Sequence, residues 1–238
     1  MEKSFTFKFA SDQELVLKVR EGAFTPTGTT NELVQSVHEH LNQPGKLLDL
    51  GCGIGVTGLA LSKLGLVKGA LCASDLSQSA VECAKKNAAK YSCDIVAKCG
   101  SVFEPWQGEK FDYIVNDISG VAKAVAEISP WFTGVPCDAG FDGVALVTQV
   151  LNEAPNYLNE GGKIFFPVIS LSNIDKIIAA AQDNFKTVRM LSRAEWPLPK
   201  EMYQHAALLR ELREKNDISF SEKFGMMIWS TDIYMAHN

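Results

Sequence analysis

Leu47–Gly58, LLDLGCGIGVTG, is the stretch on which the fold of this chain turns. The run from Lys46 to Leu50 alternates little and is apolar enough for a buried parallel strand, while Val56 to Leu64 carries apolar residues at helical spacing. Between them Gly51, Gly53 and Gly55 permit a backbone path that side chains would block, and they let a ligand approach the main chain. Such a turn also presents backbone donors at the start of a helix.

The same letters hold a second register. Gly53, Gly55 and Gly58 satisfy the G-x-G-x-x-G dinucleotide fingerprint when read two residues later. Asp49 tips the balance, because it places an acid just before Gly51, where a dinucleotide strand is apolar. The segment therefore resembles the first motif of the class I S-adenosylmethionine-dependent methyltransferases, and that resemblance assigns Asp49, Gly51, Cys52, Gly53 and Gly55 to the cofactor S-adenosyl-L-methionine. Asp75 ends the apolar run Ala70 to Ser74, 20 residues beyond Gly55, and is followed by Leu76. A carboxylate one strand-helix-strand step on accepts both hydrogens of a ribose diol. An Asp there also caps a helix opening at Ser77.

The 238 residues have average hydropathy, 21% charged side chains and a net charge of −5, which indicates a globular protein with one substantial core and argues against a broad basic face for nucleic acid. Lys85, Lys86 and Lys90 read as the solvated face of a helix. Six cysteines without a Cys-x-x-Cys pair look like the reduced thiols of a cytoplasmic protein. His38 and His40 are two apart and make a poor metal pair on a helix, so no metal is expected. No signal peptide or membrane-length apolar run is expected either.

Phe5, Phe7 and Phe9, then Leu15, Leu17 and Val19, alternate around a Ser11-Asp12 turn and predict a hairpin. A helix over Asn31 to Leu41 is stopped by Pro44 and Gly45. Strands are then expected near 46–50, 70–74, 94–98, 111–116 and 163–168, separated by helices near 56–64, 78–90 and 143–158. Phe185 to Leu191 and Met226 to Tyr234 are strand-like, with a helical stretch from Lys200 to Lys215 between them. The expected architecture is α/β: a doubly wound, mostly parallel, seven-stranded Rossmann-like sheet with an antiparallel C-terminal strand pair. It forms a single domain over 1–238, in which the hairpin and first helix (1–45) close the cofactor site.

Three further segments carry resemblances, the first again to the class I methyltransferases and the other two, more closely, to the release-factor glutamine methyltransferases. CGSVFEPW, residues 99–106, resembles the segment beside adenine; where the family has an acid, the Ser101 hydroxyl or the Val102 backbone takes its place, and Phe103 either packs on the base or is buried in the core. PTGTTNELV, residues 26–34, matches the family's Pro-x-Pro-x-Thr-x-x-Leu-Val except that Gly28 replaces the second proline. It implies that Thr30 meets the methionine end of the cofactor, unless it caps the helix. Residues 138–168 are similar to the family's Gly-x-x-Gly, helix, Gly-Gly, strand block.

The departure comes after the fourth strand. The family has Asn-Pro-Pro-Tyr there, and this chain has Asn116, Asp117, Ile118 and Ser119. In that motif the asparagine orients a planar amide, so Asn116 is the expected orienting residue and part of the cofactor pocket. Asp117 adds a carboxylate able to accept a proton or pair with a cation, or else to form a turn with Ser119. Trp131 and Phe132, between Pro130 and Gly134, are expected to line a substrate pocket or to anchor their loop. The expected function is methyl transfer to a nitrogen of a protein side-chain amide or similar amine. The alternatives are a small-molecule N- or O-methyltransferase and an inactive cofactor-binding scaffold subunit.

Overall fold

The computed structural model describes residues 3–10, 13–20, 24–118, 120–135 and 137–238; the expected Ser11-Asp12 turn and Ser119 lie outside them. Alternation pairs β1 (Lys3–Phe9) with β2 (Gln13–Val19) as an antiparallel hairpin. Its inward Phe7, Phe9, Leu15 and Leu17 join the core under α1 (Gly28–His40). The Asn87 side chain accepts from Lys18 N at 2.8 Å and donates to Lys18 O at 3.1 Å, and the Tyr91 hydroxyl accepts from Val16 N at 2.6 Å.

The alternating units follow: β3 (Leu47–Leu50), α2 (Val56–Lys63), β4 (Leu71–Asp75), α3 (Gln78–Lys90), β5 (Ile95–Cys99) and β6 (Phe111–Asn116). The short α4 (Lys123–Ile128) leads to α5 (Ala145–Glu153), which stops ahead of Pro155 instead of running to 158. β7 (Leu158–Ile169) therefore starts five residues sooner than the expected 163. α6 (Ile174–Asn184), capped by Asn173 accepting from Lys176 N, was not anticipated. Then come β8 (Thr187–Pro197), α7 (Ala206–Glu214), β9 (Ser221–Lys223) and β10 (Met226–His237).

The strands lie in the order β5-β4-β3-β6-β7-β10-β8, and β9 adds a short eighth strand on β10. β3 to β7 run parallel, and β10 inserts antiparallel between β7 and β8. One face packs Leu47, Tyr113 and Val115 under α1 and α2. The other packs Leu48, Ile114 and Phe166 against Val150, Leu151 and Ile177 of α5 and α6. Among the described residues no helix is long and apolar enough to cross a membrane.

Candidate functional site

A cavity of about 560 Å³ runs along the C-terminal edge of the parallel strands, within the size range of ligand pockets. Its lining includes the ends of β3, β4, β6 and β7, the loop after β5 and the start of β10. Six strands side by side at about 4.8 Å give that edge a width of roughly 24 Å from β5 to β10. No described residue of the hairpin lines it, whereas Thr29 and Thr30 of α1 do.

The glycine turn is held by backbone bonds from Gly51 N and Cys52 N to Ser74 O, both 2.9 Å. The Asp75 carboxylate completes it: Oδ2 accepts from Gly53 N at 2.9 Å and Oδ1 from Ser77 N at 2.8 Å. Gly53 has φ +50, and a Cβ built there meets nothing within 4 Å, so its main chain lies bare. Across the turn Val102, β-branched yet at φ +44, lines the cavity, and strain of this kind gathers at binding sites.

This half of the cavity fits an adenosyl group. A carboxylate has about four acceptor positions, so the two backbone bonds leave Asp75 room for a ribose diol. Leu76, Ser101, Val102 and Cys52 line the same space.

Residues 21–117 match the family model described as Methyltransferase small domain. The release factor glutamine methyltransferase of Streptococcus pneumoniae is 32% identical over 161 residues, which cover 64% of this chain and 56% of that protein. The ribosomal protein L11 methyltransferase of Lactobacillus johnsonii is 30% identical over 78% of this chain and 52% of its own length. A 16S rRNA methyltransferase of T. thermophilus, solved in complex with AdoMet and guanosine, shares the fold with a TM-score of 0.66 at 16% identity, over 99% of this chain and 50% of that one. The chain is similar in sequence to these methyltransferases and shares their fold. It spans about half the length of the curated relatives it matches.

Asp49 lies beneath the turn and does not line the cavity. Its Oδ2 accepts from Gly58 N at 2.8 Å, and a Cβ on Gly58 would lie 2.8 Å from that same oxygen. Gly58, the third glycine of the rival dinucleotide register, is thus required by Asp49 itself. Asp49 shapes the turn from below and makes no direct contact with the cavity. Burial raises its pKa from 3.8 to about 7, with Asp117 and Asp75 adding repulsion against the Gly58 bond. The native protein therefore holds a proton that the unfolded chain releases, so stability falls as pH rises from about 4 to about 7 and is level above, by an amount on the order of 4 kcal/mol. Asp49→Asn, which keeps an acceptor for Gly58, is expected to flatten this decline in urea unfolding between pH 4.5 and 8; an unchanged slope would assign the proton elsewhere.

Strand alternation separates Asn116, the last residue of β6, from Asp117, which follows it. Asn116 shares a face with Ile114, is fully buried and does not line the cavity; its Oδ1 accepts from Ile118 N at 3.4 Å and its Nδ2 has no partner. Through that bond it supports the turn from beneath the cavity. Asp117 faces α1 and α2 and lines the cavity. Its Oδ2 accepts from the Thr30 hydroxyl at 3.0 Å and from the Thr57 hydroxyl at 3.3 Å. Thr30 thus acts on Asp117 from inside the first turn of α1, whose cap position is Thr27. Burial raises the Asp117 pKa from 3.8 to about 6, against the two threonine bonds.

Phe103 is fully buried and stacks on Tyr157 with ring centroids 4.3 Å apart, so it belongs to the core and does not face the cavity. Trp131 and Phe132 do line it. Gly28 departs from the family pattern for a steric reason: a Cβ there would lie 2.6 Å from the Trp196 ring. Sequence reading missed Thr57, Phe24, Asp138 and Trp229. Thr57 follows the glycine turn and was within reach of the motif; Trp229 carries no local signal, because only strand pairing brings β10 to this edge.

Proposed function

We propose that this chain is an S-adenosylmethionine-dependent methyltransferase acting on a nitrogen, either of a protein side-chain amide or of a similar amine. The observation that supports this reading is Asp117, a carboxylate clamped by two threonines midway between the adenosyl half of the cavity and its aromatic half. S-adenosylmethionine, when bound, supplies a methyl group already activated on a sulfonium, so the protein's task is alignment and exclusion of water. Gly51, Cys52 and Gly53 form the turn against which the cofactor lies, with the main chain bare at Gly53, while Gly55, expected beside the cofactor, packs against Ala84 of α3 and does not line the cavity; Asp75 holds the ribose. Ser101 and Val102 border the base, with Leu76 covering it.

Thr30 and Thr57 occupy Asp117 Oδ2, leaving Oδ1 to accept a proton from the acceptor nitrogen. Asn116 positions Asp117 through its bond to Ile118. Trp131 and Phe132 wall the acceptor side. The release factor and L11 relatives, whose names place their substrates among proteins, support a protein acceptor.

Incubating the protein with methyl-labelled S-adenosylmethionine and a cell extract is expected to place label in the protein fraction, alkali-stable as an N-methyl group. Label confined to small metabolites would replace the protein acceptor with a small one. Absence of label from every fraction, with cofactor binding intact by calorimetry, would favour the scaffold reading.

A further inference from the structure

We infer that the half of the cavity over β6, β7 and β10 is a recognition site for an organic ammonium group carried on an apolar body. This rests on the proposed function and narrows its acceptor. The order β5-β4-β3-β6-β7-β10 divides the cavity in two. Asp75 ends β4, Ser101 and Val102 follow β5, and all three belong to the adenosyl half, whereas Pro167 and Ile169 of β7 and Trp229 of β10 lie beyond Asp117.

The far half is aromatic. Trp131 packs on Trp229 with ring centroids 5.1 Å apart, and Phe132 on Phe24 at 5.4 Å, and all four rings line the cavity. Its polar boundary carries Asp117 and Asp138, and among the described lining residues there is no lysine, arginine or histidine. Aromatic faces attract a cation and two carboxylates attract it further. A phosphate or carboxylate entering the same space meets two like charges and no counter-ion. A neutral amide gains the apolar wall and at most a hydrogen bond to a carboxylate, without the attraction of a full charge. Charge complementarity therefore ranks a protonated amine above a neutral group and a neutral group above an anion.

The probe series keeps one ring and changes only the head: phenethylamine, phenethyl alcohol and phenylacetate, titrated calorimetrically into protein saturated with S-adenosylhomocysteine. Saturation is itself measured first, so that a missing cofactor site is recognised before any amine is added. The amine is expected to bind about tenfold or more tighter than the alcohol, and the carboxylate not at all. D138N is expected to cut the amine-over-alcohol preference by about tenfold while leaving S-adenosylhomocysteine affinity unchanged. W131A is expected to weaken both amine and alcohol, and the amine more, because it loses a cation-π face as well as apolar contact. N-acetyl-lysine amide, run beside phenethylamine, shows whether a lysine side chain serves as the ammonium source as well as a free amine does. Alcohol binding as tight as amine binding, guanosine binding tighter than either, or a D138N protein with its preference intact would overturn the inference.

Discussion

Replacing Asp75 by alanine is expected to weaken S-adenosylmethionine binding by two orders of magnitude or more in calorimetry, with the protein still folded by circular dichroism. The carboxylate makes two backbone hydrogen bonds, at Gly53 and Ser77, and each is charge-assisted. Those two bonds hold the turn; the two that its free acceptor positions offer the ribose hydroxyls contribute about 1.5–3 kcal/mol apiece to binding, and each 1.4 kcal/mol is a factor of ten. Alanine loses both pairs, while the bonds from Gly51 and Cys52 to Ser74 O still hold the strand end. Affinity within a few-fold of the parent would show that the turn keeps its shape without Asp75 and that the cofactor does not touch it.

Asp117→Asn is expected to lower kcat by about 10²- to 10⁴-fold, the usual contribution of a positioned proton acceptor, with little change in cofactor affinity. The amide is nearly isosteric and can still accept the Thr30 and Thr57 hydroxyls, so the fold around it is retained. In the parent enzyme kcat/KM should rise with pH through about 6, because only the ionised carboxylate accepts a proton and burial has raised its pKa to that value. The variant should lose that limb. A pH profile identical in parent and variant would remove Asp117 from the proton path and leave it a purely structural role beside α1 and α2.

Most of the parallel half of the fold was legible because its signals are local. The glycine spacing after Leu50, the apolar runs of β3, β4 and β6 and the helical period of α2 and α3 each lie within a few residues of the feature they specify. Elements were misjudged where a local pattern has two outcomes. The segment 143–158 keeps helical spacing past Glu153, but Pro155 turns it into a tighter 3-10 turn and β7 begins at Leu158. Phe103 has the residue type for stacking on a base, and Tyr157, arriving from 54 positions away, decided that it stacks in the core.

The glycine spacing after Leu50, with carboxylates at Asp49 and Asp75, indicates by itself a strand-turn-helix with a nucleoside-sized approach to backbone, because glycine spacing and the switch from strand to helix period are local signals. Which of Asp49 and Asp75 faces the ligand, and which of Asn116 and Asp117 faces the acceptor, was decided only by the tertiary structure. Adjacent positions along a strand point to opposite faces, and the face that becomes the cavity is chosen by α1 folding over the sheet edge and by β10 inserting between β7 and β8. Those pairings join residues up to two hundred positions apart, as in the Thr29 to Thr231 hydroxyl contact at 2.9 Å, and no local pattern encodes them.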